Sequence, residues 1–218
     1  MNQPSESLPV GLLLALTGGM LDAYSYLNRG QVFATAETGN VVLLGINLAQ
    51  GHLHQAGRYL LPILAYFAGV LATQRFRRWM DHQPTPIHWR QPLLLLECLL
   101  VVVVAMLPSG SLDAVANILI AFASAVQVQS FRSVDGCGCA TTMCTGNLRS
   151  GTEQLFRWLQ GDAAAPRKIR VYYGLIACFV VGAVLSGLAS PLLGKASVLP
   201  ACAPMLLACL LMARPVTA

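Results

Sequence analysis

The 218-residue sequence has few charged side chains, and this shortage argues against an ordinary soluble domain. Asp, Glu, Lys and Arg make up 11% of the chain, whereas soluble domains usually contain about 25%. Hydrophobic residues make up 56%, and the mean hydropathy is +0.61. Apolar runs recur at lengths that suit bilayer spans, such as "LLLLECLLVVVVAML" at 93–107. The composition therefore predicts an all-α, multi-pass integral membrane protein with one membrane domain over residues 1–218.

The motifs of several other protein classes are also missing from the sequence. There is no glycine-rich phosphate loop, no nucleophile elbow and no specific Ser/His/Asp arrangement, so we do not expect an enzyme. The net charge of +5 does not predict nucleic-acid binding, because basic residues in a membrane chain chiefly report orientation. The first nine residues contain no basic residue, so we expect no cleavable signal peptide.

The seven cysteines do not predict a disulfide framework. Three of them, Cys137, Cys139 and Cys144, could bind a soft metal ion as thiolates. Zinc sites usually have four ligands in pairs spaced C-x2–4-C, and no histidine lies near these three cysteines. We therefore expect no metal and no cofactor, and we interpret this cluster as small residues in a tight re-entrant turn. The other four lie in apolar helical stretches, where a thiol behaves as a small hydrophobe: Cys98, Cys178, Cys202 and Cys209.

The apolar pattern predicts six spans and leaves two segments whose path is open. The spans lie at about 9–28, 58–76, 92–108, 112–131, 171–190 and 196–213. The remaining segments, 31–50 and 138–157, either cross the bilayer as well or enter it and return. If neither crosses, eleven of the 14 basic residues, Arg214 among them, lie on the cytoplasmic side, and Arg29, Arg58 and Lys195 lie outside. The positive-inside rule then favours six spans plus two short re-entrant or broken helices, with both termini in the cytoplasm.

A duplicated tripeptide marks the two segments that do not span. Thr38-Gly39-Asn40 lies in "ATAETGNVVLLG", and Thr145-Gly146-Asn147 lies in "TTMCTGNLRSG". The predicted topology places the surrounding units, 9–108 and 112–213, in opposite orientations. Inverted repeats whose broken helices meet near the midplane are a known transporter architecture. The order of spans and breaks supports a duplication better than the few identical residues between the halves.

The chemistry of the tripeptide has a functional and a structural interpretation. We expect Thr38 to be an N-cap, because its hydroxyl can accept a hydrogen bond from a free N–H group of the first turn. Gly39 permits close backbone approach, and Asn40 offers both a donor and an acceptor. Two positive helix ends that face one cavity would suit an anion or a polar uncharged solute. Alternatively, both copies are buried caps in small-residue helix packing, with no ligand.

Two acidic residues lie in apolar helical surroundings, where a charge is expensive. Asp22 is the better site candidate, and Glu97 is equally well explained as a packing residue near the cytoplasmic interface. Gln129 lies at the same offset from the second tripeptide as Asp22 from the first, and Arg132 follows within one turn. Arg132 could equally be an interface residue whose charged end extends out of the hydrocarbon to the membrane surface. The predicted substrate-binding residues are Asp22, Thr38, Gly39, Asn40, Gln129, Arg132, Thr145, Gly146 and Asn147.

These residues also resemble a known family. The run "GGMLDAYSYLNRGQVFATAETGNVVLLG" (18–45) is similar to the N-terminal signature of the YoaK-like bacterial membrane proteins, whose activity is not established. The second half resembles the family through Gln129, Arg132 and Thr145, among other residues. Two features depart from its pattern, namely Glu37 and the run "GCGC" at 136–139. The resemblance implies a small multi-pass protein, which we place in the bacterial inner membrane.

The sequence favours a transporter or channel-like protein with a midplane site between two repeats. The alternatives are a membrane scaffold or assembly protein and, less favoured, an intramembrane enzyme. As partners we expect the lipid bilayer and a small polar or anionic solute, with association of identical chains as a further expectation and no nucleic acid. A polar cavity lined by both tripeptides would favour transport, whereas a solid apolar core there would favour a scaffold.

The topology can be tested by cysteine-accessibility labelling in a cysteine-free background. An impermeant reagent added outside should react with cysteines at His54 and Ser111, and it should not react with cysteines at His82 and Ala164. Labelling of position 164 from outside would overturn the six-span topology and the inverted repeat with it.

Overall fold

The computed structural model of the chain describes residues 3–84 and 88–213. Arg214, which the charge count placed in the cytoplasm, lies outside these residues. The α-helices in the described ranges are α1 Leu8–Asn28, α2 Glu37–Ala49, α3 Leu53–Met80, α4 Arg90–Met106, α5 Asp113–Ser130, α6 Cys144–Leu159, α7 Ala165–Leu193 and α8 Cys202–Met212. The other elements are 3₁₀ helices at Pro4–Glu6 and Gly194–Ala201 and a small antiparallel hairpin of β1 Ser133–Val134 and β2 Cys137–Gly138.

Helices α3 and α7 are longer than the apolar pattern predicts. Helix α3 has 28 residues and α7 has 29, because polar residues at their ends continue the helical hydrogen bonding beyond the apolar stretch. The last predicted span, 196–213, is not one continuous α-helix. Its first part is the 3₁₀ helix Gly194–Ala201, which contains Pro200. Proline has no N–H to donate and restricts the preceding residue, so the regular α-helix begins only at Cys202.

The helices differ in whether they are long enough to cross a bilayer, and α2, α6 and α8 are too short to do so alone. Among the described residues, four segments are long and apolar enough to cross a bilayer, namely α1, α3, α5 and the stretch 165–212. Helix α4 is strongly apolar and has 17 residues. Helices α2 and α6 have 13 and 16 residues, and at 1.5 Å per residue they are about 20 and 24 Å long. Both are shorter than a hydrocarbon core of about 30 Å.

Helices from the two halves of the chain pack in a reciprocal way. Each half contains a long helix, a short helix with Thr-Gly-Asn, a helix of 28 or 29 residues and a final apolar segment. Helix α1 of the first half packs along α7 of the second, and α5 of the second half packs along α3 of the first. The short helices α2 and α6 pack against the long helices that follow them. This exchange of first helices brings the later parts of both loops, at Thr35 and at Thr142, against α1.

Glycines allow the exchanged helices to approach very closely. A Cβ atom on Gly19 of α1 would overlap the Phe179 carbonyl oxygen of α7, and one on Gly182 of α7 would overlap the Leu16 carbonyl oxygen of α1. At the other crossing, a Cβ atom on Gly69 of α3 would lie 2.8 Å from the Phe122 carbonyl oxygen of α5. Small residues at such crossings are the usual basis of helix association in membranes, where apolar side chains gain little from mutual burial.

A fully buried arginine joins three helices at one end of the bundle. The sequence assigned Arg29 only to the outer side of the membrane, but its side chain is 0% exposed. Its Nε donates to Tyr24 Oη at 2.9 Å, and its Nη1 forms a 3.2 Å ion pair with Asp113. The other N–H groups donate to the carbonyl oxygens of Val104, Leu107 and Pro108. Arg29 therefore caps the end of α4 and links it to the end of α1 and the start of α5.

A second buried arginine joins the opposite ends of the same helices. Arg90, at the start of α4, donates from Nε to the Ser130 carbonyl oxygen at the end of α5 at 2.7 Å. Its Nη2 donates to Glu6 Oε1 at 2.9 Å, just before α1, and its Nη1 contacts Ser5 Oγ. The two arginines thus fix α1, α4 and α5 relative to one another at both ends.

The close crossing of α1 and α7 yields a prediction about stability. Gly182→Ala places a methyl group against a backbone carbonyl that has no rotamer to change, so the helices must separate. We expect a loss of about 1–3 kcal/mol, the usual range for overpacking, and a lower melting temperature in detergent. Gly187→Ala, on the same helix with open space around it, is the matched control. Equal melting temperatures for the two variants would contradict the close crossing.

Candidate solute-binding site

A cavity of about 520 Å³ lies where both Thr-Gly-Asn loops meet α1. It contains five of the nine predicted site residues: Asp22, Thr38, Gly39, Thr145 and Gly146. The other lining residues are Phe33, Ala36, Glu37, Tyr66, Thr142, Met143, Cys144 and Phe179. A somewhat larger groove of about 630 Å³ lies along α3 beside Arg75 and Trp79, but it contains none of the predicted site residues. The sequence motifs therefore single out the smaller cavity.

Asp22 and Gly18 lie on the same face of α1, and the two loops meet at this face. The absence of a side chain at Gly18 lets the second loop approach, and a Cβ atom there would lie 3.2 Å from Thr142 Cα. Asp22, one turn later on the same face, accepts a hydrogen bond from the backbone N–H of Thr35 in the first loop at 3.1 Å. With 7% of its surface exposed, the carboxyl group both holds the first loop and faces the cavity.

The two asparagines of the motif make the same contact in both loops. Asn40 Nδ2 donates to the Phe33 carbonyl oxygen at 3.2 Å, and Asn147 Nδ2 donates to the Ala140 carbonyl oxygen at 2.7 Å. In both cases the acceptor lies seven residues before the asparagine. Each amide therefore closes the loop that leads into a short helix. The Ala140 carbonyl oxygen depends on Asn147 for this donor, whereas the Phe33 carbonyl oxygen also accepts from the Ala36 N–H at 3.3 Å. Both asparagines are buried, and neither lines the cavity.

The prediction that threonine is the N-cap is wrong. Helix α2 begins at Glu37 with Ala36 as its N-cap, and α6 begins at Cys144 with Met143 as its N-cap. Neither position has a side-chain capping bond. Thr38 and Thr145 are already in the first turn, past the position from which a hydroxyl accepts from the following N–H groups. Both threonines are exposed instead at the cavity.

Glu37 is a site residue that the sequence analysis treated only as a departure from a family pattern. It is the first residue of α2 and lines the cavity. Its Oε2 accepts a hydrogen bond from Asn40 Nδ2 at 3.0 Å, and its Oε1 is buried with no hydrogen-bond partner. A carboxylate in the first turn interacts favourably with the positive helix end. The rule that identified Asp22, an acidic residue in apolar surroundings, would have identified Glu37 as well.

The cavity lining does not include Gln129, Arg132 or Glu97. Gln129 is half-buried and Arg132 is exposed at the end of α5, whereas Glu97 is buried within α4. Gln127 is the fifteenth residue of α5, as Asp22 is of α1. Its Nε2 donates to Thr141 Oγ1 at 2.7 Å and to the Leu14 carbonyl oxygen at 3.1 Å. Gln127 thus holds the second loop. Counted from the helix starts, Gln127 corresponds to Asp22, whereas counted from the tripeptides the corresponding residue is Gln129.

The cysteine run "GCGC" forms part of the small hairpin. Asp135 and Gly136 have φ values of 51° and 77° and make its tight turn, and Cys137 pairs with Val134. Burial raises the pKa of the Cys137 thiol above its ordinary value, which disfavours a thiolate ligand. Across residues 3–84 and 88–213, no three His, Cys, Asp or Glu side chains converge as a metal site would require. Cys144, by contrast, lines the cavity.

The long apolar helices, the short paired helices and the buried polar groups between them define a multi-pass helical membrane protein. Comparison with known families agrees with this class. The chain belongs to the family described as "Protein of unknown function (DUF1275)", whose model matches residues 10–212. It is 26% identical over 187 residues to the UPF0700 transmembrane protein YoaK of Bacillus subtilis (strain 168), a match that covers 82% of each chain. The resemblance to the YoaK-like family is thereby confirmed. No solved structure matches the chain.

The loop contacts predict that both asparagines stabilise the fold. Asn147→Ala leaves the Ala140 carbonyl oxygen without its amide donor, which should cost about 1–3 kcal/mol. Asn40→Ala should cost less, about 0.5–1.5 kcal/mol, because the Phe33 carbonyl oxygen keeps the Ala36 N–H as a donor. Asn47→Ala is the matched control, because its amide donates at 2.8 Å to the Leu43 carbonyl within α2, which is already part of the helix. Thermal unfolding in detergent measures the difference. If both motif variants have the same melting temperature as the control, the asparagines do not close the loops.

Proposed function

We propose that the protein is a transporter or channel-like protein that moves a small polar solute through the cavity between units 9–108 and 112–213. The observation that carries this proposal is the shared lining of one cavity by Asp22 and by both Thr-Gly-Asn segments. Residues from two distant parts of the chain converge there, and they come from corresponding positions of the two halves.

The course of the backbone supports a water-accessible cavity. Helices α2 and α6 begin at its wall, and the loops before them are irregular. At membrane depth, irregular backbone is tolerated where it is buried in protein or lines a water-filled cavity. Thr38, Thr145 and Gly146 are exposed rather than packed. This combination is typical of transporters with broken helices.

The ends of the bundle support a six-span topology with both termini in the cytoplasm of a bacterial inner membrane. The three basic residues expected outside come together at one end of the bundle. Arg29 pairs there with Asp113, the Arg58 guanidinium lies against Gly30, and Lys195 Nζ donates to the Met106 carbonyl oxygen at 3.3 Å. The opposite end carries Arg90 and other basic residues. Such a separation of charge is the pattern that the positive-inside rule favours.

A scaffold without transport is the second candidate, and one observation favours it. The asparagines, the most polar residues of the tripeptides, are used to close loops and do not line the cavity. The motif would then be duplicated for folding alone, and the cavity would be a packing defect filled by lipid. The two functions differ in whether water reaches the cavity wall.

Native cysteines provide a direct test of water access. A variant that keeps only Cys144, on the cavity wall, should react with an impermeant charged thiosulfonate in membrane vesicles, because water must reach a solute site from at least one side. A variant that keeps only Cys178, which packs against the apolar cluster around Leu175 on α7, is the matched control and should stay unreactive. Labelling of neither variant, with both proteins folded, would favour the scaffold.

A further inference from the structure

The charge of the cavity differs from the charge that the tripeptides alone predict. Two carboxyl groups, those of Asp22 and Glu37, line it, and no Lys, Arg or His is among its lining residues. Each helix N-terminus contributes about +0.5 of a charge. A bound cation favours the ionised form of both carboxyl groups, and with two helix ends present the cavity then carries a net charge of about −1 to meet it. The sequence analysis expected an anion or a polar uncharged solute because only the positive helix ends were taken into account. The net negative charge of the cavity instead favours a solute with one positive charge.

Unpartnered acceptor atoms are an independent sign of a missing donor. The hydroxyl oxygen of Thr142, a cavity-lining residue that is 2% exposed, has no hydrogen-bond partner among the residues that the structure describes. Oε1 of Glu37 is likewise buried without one. Buried polar atoms in native proteins are nearly always hydrogen-bonded. An ammonium group has three donors and no acceptor, so it matches this set of oxygen atoms.

The walls of the cavity suit an organic molecule. Phe33, Tyr66 and Phe179 line it together with Met143, and Phe33 is held in place by stacking on Tyr26 with ring centroids 4.7 Å apart. Aromatic faces attract cations, most strongly where water is excluded. A volume of about 520 Å³ falls within the range of about 300–1,000 Å³ for pockets that bind small organic ligands.

We infer that the cavity binds an organic ammonium ion with one positive charge and an apolar body. The ammonium group lies between the carboxyl groups of Asp22 and Glu37, and the apolar body packs against the aromatic side chains. This inference rests on the proposed solute site and names the class of its solute.

Three probes of similar size separate the effect of charge from that of shape. Phenethylammonium carries one positive charge, 2-phenylethanol is neutral, and 3-phenylpropionate is negative. Calorimetry on the purified full-length protein in nanodiscs should give at least tenfold tighter binding of the cation than of either analogue. This comparison uses the wild-type protein and does not depend on how any variant folds. Equal affinity for the three probes, or tighter binding of 3-phenylpropionate, would overturn the inference.

Two conservative variants locate the interaction. Asp22→Asn and Glu37→Gln keep an oxygen for Thr35 N–H and for Asn40 Nδ2 while they remove the charge. Each should weaken phenethylammonium binding at least tenfold. Glu153→Gln, an exposed carboxyl on α6 paired with Arg157, is the matched control and should change it less than twofold. Unchanged binding in both cavity variants, with the proteins folded, would place the cation elsewhere.

Protection of Cys144 separates a failure of this inference from a failure of the proposed function. Bound phenethylammonium should slow the labelling of Cys144 by the impermeant reagent. If Cys144 is labelled but phenethylammonium does not protect it, the cavity remains a solute site and the ammonium assignment is wrong. If Cys144 is never labelled, the solute site and the ammonium assignment fail together.

Discussion

Every backbone N–H and C=O group inside a bilayer needs a hydrogen-bond partner within the protein, and this constraint governs the middle of the structure. In the topology that we propose, α2 and α6 begin there, each preceded by an irregular loop. The protein meets the constraint with side chains that bind the loop backbone. Asn40 and Asn147 hold the carbonyl oxygens of Phe33 and Ala140, and Asp22 holds the N–H of Thr35. The duplicated tripeptide is therefore first a device for starting a helix at an internal position, and its threonine and glycine are left to line a cavity.

The exchanged packing of the long helices turns two separate loops into one site. Each loop follows the first helix of its half, and α1 and α5 each pack against the long third helix of the other half. Gly19 and Gly182 set the separation at one of these crossings. Arg29 and Arg90 fix both ends of α1, α4 and α5. The positions of Asp22 and of the two loops are thereby determined by rigid packing, as a binding site with defined geometry requires.

Features that depend on the free energy of transfer from water into lipid could be predicted from the sequence. Hydropathy and the count of basic residues separated the long helices α1, α3, α5 and α7 from the short segments that contain α2 and α6, because burial of apolar side chains in lipid dominates those choices. The predicted span 196–213 is instead a 3₁₀ helix followed by an α-helix of 11 residues. The cost of an acidic residue in apolar surroundings pointed to Asp22. Glu37 obeys the same rule and was missed, because it was compared with a family pattern rather than judged by its surroundings.

Other features depend on contacts that no local pattern records. The tripeptides are 107 residues apart, but the starts of α1 and α5 are 105 residues apart. Gln127, not Gln129, therefore takes the position in α5 that Asp22 has in α1. The full burial of Arg29 depends on carbonyl oxygens about 75 residues later in the chain, which become available only where α4 ends. The threonine that resembled an N-cap lies two residues past the observed N-cap, a shift within the accuracy of sequence-based helix boundaries.

The proposed function requires the two Thr-Gly-Asn segments to face one another across a single cavity within the membrane. Cross-linking in native membranes measures this arrangement, with cysteines at Thr38 and Thr145 in a cysteine-free background and a short bifunctional thiosulfonate. We expect an intramolecular link between the peptides that contain these two positions, detected by mass spectrometry. If each single cysteine reacts with a monofunctional reagent and the double variant gives no such link, the two segments do not share a cavity.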